Sequence, residues 1–110
     1  MPELWVPFKY YGFWDVPRYI IISFYKCDLY LTAEFNDALD DYETEYSGYL
    51  LPKNYDHSID VGWRNIKANA IKILKSIPVD RVKFAPSRRK TVEIFSLGLE
   101  DQVDIDDLIK

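Results

Sequence analysis

The chain has 110 residues, 48% of them hydrophobic and 29% charged, with one cysteine, one histidine and a net charge of −4. That balance excludes a disordered chain and is enough for one self-sufficient core, so residues 1–110 read as a single domain without metal or disulfide staples. The lone Cys27 rules out an internal disulfide, and the overall acidity argues against nucleic acid as the main partner.

At the N-terminus "LWVPFKYY" has strand composition, and Pro7, lacking a backbone N–H, assigns it to a sheet edge or a bulge. Gly12 and the Asp15-Val16-Pro17 step mark a loop, because a residue before proline is driven out of the α region. Tyr10, Tyr11, Phe13, Trp14, Tyr19, Phe24 and Tyr25 crowd this part of the chain. They read mainly as core, with one or two aromatics shown from the loop.

A β-hairpin follows, with strands Arg18 to Tyr25 and Leu29 to Phe35 around the polar break Lys26-Cys27-Asp28. Alternation places Leu29, Leu31 and Ala33 on one face and Tyr30, Thr32 and Glu34 on the other. "FNDALDDYETE" is an acidic turn or a short helical piece, and Tyr46 to Pro52 is a third strand.

From Ser58 onward Trp63, Ile66, Ala70, Ile73, Leu74 and Ile77 recur at helical spacing, which predicts an amphipathic helix capped by Ser58 or Asp60 and stopped by Pro78. Arg64, Lys67, Lys72 and Lys75 fall on its solvent side. "VDRVKF" and "KTVEIF" read as two more strands around the turn Ala85 to Arg89, and the tail 98–110 as a short acidic helix or a frayed end. The order β-β-β-α-β-β predicts an α+β fold, about five mostly antiparallel strands packed on one amphipathic helix.

Charge is strongly segregated. Residues 1–60 hold four Lys/Arg against eleven Asp/Glu, residues 61–92 nine against one, and residues 93–110 one against six. Within the first block, Asp37, Asp40, Asp41, Glu43 and Glu45 are interleaved with Tyr42, Tyr46 and Tyr49. Carboxylates steer a cationic partner and tyrosines supply contact area, so these eight residues are the candidate partner-binding surface, and the partner they imply is a protein with a basic surface. Self-association through exposed edge strands is left open by the pattern.

The alternative is a nucleic-acid-associated factor using Arg64, Lys67, Arg88, Arg89 and Lys90, which predicts affinity that falls steeply with salt. Enzyme readings are weaker. His57 lies between Asp56 and Asp60, but neither it nor Cys27 carries a nucleophile signature, and the four scattered glycines form no phosphate-binding loop. One histidine, one cysteine and unpatterned carboxylates are not a metal ligand set, so no catalytic residue and no cofactor is assigned.

No apolar run approaches the ~20 residues of a membrane helix, and no basic segment with an apolar run opens the chain. The expectation is a soluble, cytoplasmic protein. Size, acidity and the α+β pattern resemble, at the level of a class and without a shared motif, small bacterial immunity and inhibitor proteins. The function expected from this reading is non-enzymatic protein binding, in its most concrete form the blocking of a basic toxin.

Overall fold

The computed structural model describes residues 4–14, 16–53, 66–84 and 91–109. Its elements are β1 (Trp5–Pro7), β2 (Lys9–Trp14), β3 (Val16–Ser23), β4 (Cys27–Thr32), β5 (Phe35–Asn36), β6 (Asp41–Tyr42), β7 (Glu45–Pro52), α1 (Ile66–Asn69), β8 (Lys72–Ile73), β9 (Ile77–Pro78), β10 (Thr91–Glu93) and α2 (Ile105–Ile109). Short 3₁₀ turns cover Val79–Arg81, Ile94–Leu97 and Leu99–Asp101.

The principal sheet is antiparallel, in the order β2-β3-β4-β7-β8, and β9 shares the β8 side of β7. The predicted hairpin is present, with Tyr19 opposite Thr32 and Ile22 opposite Leu29. Its turn falls two residues earlier than the polar residues indicate: β3 ends at Ser23, Phe24 donates its backbone N–H to the Cys27 carbonyl at 2.9 Å, and Cys27 begins β4. The third predicted strand is β7, and Pro7 ends β1, which among the described residues pairs only with β10.

The predicted α+β fold, a sheet on one amphipathic helix, is overturned. The described residues are mainly strands in several antiparallel sheets, with two short helices, α1 and α2. Trp63 and the caps Ser58 and Asp60 lie outside the described residues; among the described residues of this stretch helix covers Ile66–Asn69, after which the chain extends along β7. The N–H of Ile71 bonds the Leu50 carbonyl at 2.7 Å and that of Leu74 bonds Gly48 at 2.9 Å. Open carbonyls on the free side of β7 thus outcompete the local ladder of a helix. The spacing misled because its apolar residues serve opposite sides of the sheet: Ile66 packs with Ile21, Tyr30 and Leu51, whereas Leu74 and Ile77 join the main core.

"VDRVKF" forms the Val79–Arg81 turn and one bridge, Phe84 to Val92, rather than a strand, and "KTVEIF" is extended only to Glu93 before turning into 3₁₀. The tail does hold a short acidic helix, α2, with Leu108 buried.

The main core lies on the inner face of the sheet, where Ile20, Ile22, Leu29, Leu31, Ala33, Tyr46 and Leu50 meet Val92, Ile94, Leu97, Leu99, Ile105 and Leu108. A lid of 3₁₀ turns and α2 takes the place foreseen for a long helix. Close approach sets one residue: a Cβ on Gly48 would stand 3.2 Å from Leu31 Cδ2 and 3.3 Å from Leu74 Cβ, so Gly48→Ala is expected to lower stability by about 1 to 2 kcal/mol in urea titration.

The early aromatic stretch is less of a core than its composition implies. Phe24 is buried, but Tyr10, Tyr11 and Tyr25 are exposed. The reversal expected between Gly12 and Pro17 is tighter than the sequence reading has it: Gly12 lies inside β2 and Pro17 inside β3, Phe13 pairs with Pro17 and Trp14 with Val16, and Asp15 lies outside the described residues. Gly12 has φ +63°, a conformation glycine adopts without the Cβ penalty.

Candidate acidic interaction surface

Between the principal strands β4 and β7 the chain throws out a small hairpin, β5 and β6, with Phe35 opposite Tyr42 and Asn36 opposite Asp41. Asn36 sets the turn. Its side-chain oxygen accepts from the Ala38 N–H at 2.9 Å and its carbonyl from the Leu39 N–H at 3.1 Å, an Asx-type closure that asparagine favours. Asp40 sits at φ +53° in this turn, and Leu39 is exposed at its tip. The hairpin closes with the Glu43 N–H on the Glu34 carbonyl, 2.9 Å, and the Asn36 amide on the Glu43 carboxylate, 2.6 Å.

Arg18 holds the hairpin to the sheet. It is buried, its guanidinium lies 4.6 Å from the centre of the Tyr42 ring, and Nη1 donates to the Glu43 carbonyl at 2.9 Å. Phe35 meets Tyr42 edge-on, ring centres 5.3 Å apart. One buried cation therefore serves an aromatic ring and a backbone acceptor together.

Beside the hairpin a hollow of about 660 Å³ is lined by Thr32, Glu34, Phe35, Asn36, Asp37, Ala38, Glu43, Glu45, Ser47, Tyr49 and Ser76. Four of its lining residues are carboxylates. Among the described residues none of Glu34, Asp37 and Glu45 pairs with a lysine or arginine; the ion pairs found are Lys26 to Asp107 at 2.6 Å and Lys53 to Asp28 at 3.0 Å.

Of the eight residues singled out in the sequence, Asp37, Glu43, Glu45 and Tyr49 line this hollow. Asp40 and Asp41 are exposed on the hairpin, where Asp41 accepts from the Tyr42 N–H at 2.7 Å, and Tyr42 is half-buried under Arg18. Tyr46 is not on this surface. It is fully buried in the main core and its hydroxyl donates to the Pro17 carbonyl at 2.6 Å. The sequence reading missed Glu34, Phe35 and Asn36. The signal for Glu34 was present in the alternation that puts it on the face opposite Ala33, the same face as Thr32.

Comparison with known proteins adds no relative. No family model, curated protein or solved structure matches this chain. The reading of the site therefore stands on its geometry.

Of the alternative basic patch, Lys67 is exposed on α1, while Arg64, Arg88, Arg89 and Lys90 lie outside the described residues. His57 does too. Cys27 is buried in β4, and burial first, then Asp28, pushes its thiol pKa up, which disfavours the nucleophilic thiolate. Among the described residues no three His, Cys, Asp or Glu side chains are grouped to hold a metal ion, and no helix is long and apolar enough to cross a membrane.

Burial is also the main reason that the phenol pKa of Tyr46 is raised, well above the usual tyrosine value, and it raises that of Tyr19 together with Glu34 and Tyr42. A group whose folded pKa exceeds its unfolded value, about 10 for tyrosine, contributes stability that is complete below that pH and is lost as pH rises through the folded value. Urea midpoints are expected to hold near about pH 8 and to fall toward about pH 11. Tyr46→Phe is expected to flatten that fall while costing about 1 kcal/mol at neutral pH; an equal alkaline slope in both proteins would exclude Tyr46 as its source.

Proposed function

We propose that this protein is a non-enzymatic binding domain whose acidic hollow receives a basic partner protein, most concretely as an inhibitor of immunity type acting in the cytoplasm. The supporting observation is the convergence of Glu34, Asp37, Glu43 and Glu45 around one hollow that also shows Phe35 and Tyr49. Unpaired carboxylates raise the rate of encounter with a cation, and the adjoining aromatics supply the area that holds it.

The roles divide by position. Glu34, Asp37 and Glu45 act as steering charges and Phe35 and Tyr49 as contact aromatics. Glu43 has a further duty, since its carboxylate fixes Asn36 and its carbonyl receives Arg18.

The test begins with affinity capture of the full chain's partner from nuclease-treated lysate at low and high salt, followed by association kinetics. Neutralising Glu34→Gln, Asp37→Asn and Glu45→Gln together is expected to slow association by roughly tenfold or more at low salt, with the difference shrinking as salt rises. A captured partner that binds the triple variant at the wild-type rate would place the contact elsewhere. In the inhibitor form of the proposal, the partner's own activity falls in proportion to the chain added.

A further inference from the structure

Strand register lays out the floor of the hollow in bands. Tyr19, Thr32 and Ser47 stand side by side across β3, β4 and β7. On one side of that row Tyr30 pairs with Tyr49, which is half-buried. On the other side, two residues beyond Thr32 and two before Ser47, the exposed Glu34 and Glu45 line the same hollow. The β5–β6 hairpin adds Asp37 and the ring of Phe35, which is 48% exposed. Carboxylates, hydroxyls and rings therefore occupy neighbouring bands of one concave surface.

The two cationic side chains a protein can present differ in what they need from such a surface. An ammonium is a compact charge with three donors, whereas a guanidinium is planar, directs five N–H groups outward in its plane and stacks its faces on aromatic rings. The hollow supplies both halves of the second set. Glu34, Asp37 and Glu45 pair with no lysine or arginine among the described residues, and the hydroxyls of Thr32, Ser47 and Ser76 add acceptors. Phe35 and Tyr49 bring the rings. Lys75, exposed beside Ser76, forms none of the ion pairs found among the described residues. At the foot of the same hairpin Arg18 already combines the two contacts, its guanidinium 4.6 Å from the centre of the Tyr42 ring while Nη1 donates to the Glu43 carbonyl. Size agrees as well, since about 660 Å³ falls within the range of roughly 300–1,000 Å³ typical of sites that enclose a small ligand.

We infer that the hollow is an arginine subsite: an arginine side chain of the basic partner enters it, its N–H groups on Glu34 and Glu45 and its guanidinium face against Phe35, and lysine is the poorer occupant. The inference rests on the reading of the hollow as the contact for a basic partner. It adds which residue that partner must present.

The probes are two capped tetrapeptides of equal charge, Gly-Arg-Arg-Gly and Gly-Lys-Lys-Gly, titrated into the full chain at constant ionic strength and followed by amide chemical shifts. The arginine peptide is expected to move the amides of Glu34, Glu45, Ser47 and Tyr49 and to bind about fivefold more tightly than the lysine peptide. Phe35→Leu, with the Glu43 amide shift confirming that the hairpin is intact, should bring the two peptides to within about twofold of each other. Glu34→Gln with Glu45→Gln should weaken both peptides by roughly tenfold. Equal binding of the two peptides to the wild-type chain, or a preference that survives Phe35→Leu, overturns the inference and leaves the hollow a surface for cations in general. Binding seen only after Arg88→Ala with Arg89→Ala would give the hollow to the chain's own basic segment and also overturn it. No saturable shift with either peptide removes the arginine subsite and the basic-partner reading of the hollow together.

Discussion

Glu93→Ala is expected to lower the unfolding free energy by about 3 kcal/mol. Glu93 is a buried carboxylate whose Oε2 accepts from the N–H of Leu4 at 2.9 Å and of Phe95 at 3.0 Å, while Oε1 accepts from Ser96 at 2.9 Å. The Ser96 hydroxyl returns a bond to the Glu93 carbonyl at 2.6 Å and accepts from the Lys83 N–H at 3.1 Å. One side chain thereby caps the Ile94–Leu97 turn and ties the β1 entry to the lid. Removing it leaves three N–H groups without their acceptor where water enters poorly.

Glu93→Gln keeps the shape but turns one acceptor into a donor facing N–H groups, so about half the loss is expected. The check is urea unfolding with a shared slope, read at the midpoint. A Glu93→Ala protein within a few tenths of a kcal/mol of wild type would mean that the lid is held by its apolar contacts alone.

The second large effect belongs to Arg18, which joins fold to site. Arg18→Met keeps an apolar stem in the buried position but loses the ring contact to Tyr42 and the bond to the Glu43 carbonyl. A loss of about 2 kcal/mol is expected from the two together. The hairpin should also loosen selectively: the Glu43 amide, bonded to Glu34, should exchange its hydrogen faster while amides of β3 and β4 hold their protection. Arg18→Lys preserves the charge and loses the planar fork, and is expected to recover only part of the loss. Equal acceleration of exchange through the whole sheet would show Arg18 to be a general core residue rather than the tether of the acidic hairpin.

That tether separates what is local in this protein from what is not. The hairpin β3–β4 and the strand β7 were legible because alternation with period two, β-branched residues and a short polar break are properties of neighbouring residues. The acidic turn was legible for the same reason, since Asn36 closes it within three residues. Composition also exposed the segregation of charge, and with it Asp37, Glu43, Glu45 and Tyr49 as one group.

Other assignments depended on partners far away in the chain. Tyr46 carries the same local signal as Tyr49, yet strand parity sends it into the core to bond Pro17, twenty-nine residues earlier, while Tyr49 faces the hollow. Alternation gives the face of Glu34, but the hollow it lines exists because β5–β6 folds back to Arg18, a long-range contact. The sharpest case is the stretch after Ile66. Its apolar spacing satisfies a helix, and in isolation the backbone has only its own carbonyls to bond. In the folded chain Gly48 and Leu50 offer carbonyls from β7, and the core on one side takes Leu74 and Ile77 while the outer face takes Ile66. The sequence by itself determined the strands whose stabilising contacts lie close in the chain and the sign of the surface they carry. Tertiary structure alone decided the lid, the edge and the membership of the hollow, because hydrogen bonds and burial supplied by distant residues outweigh the few tenths of a kcal/mol per residue, roughly, that separate helix from extended chain.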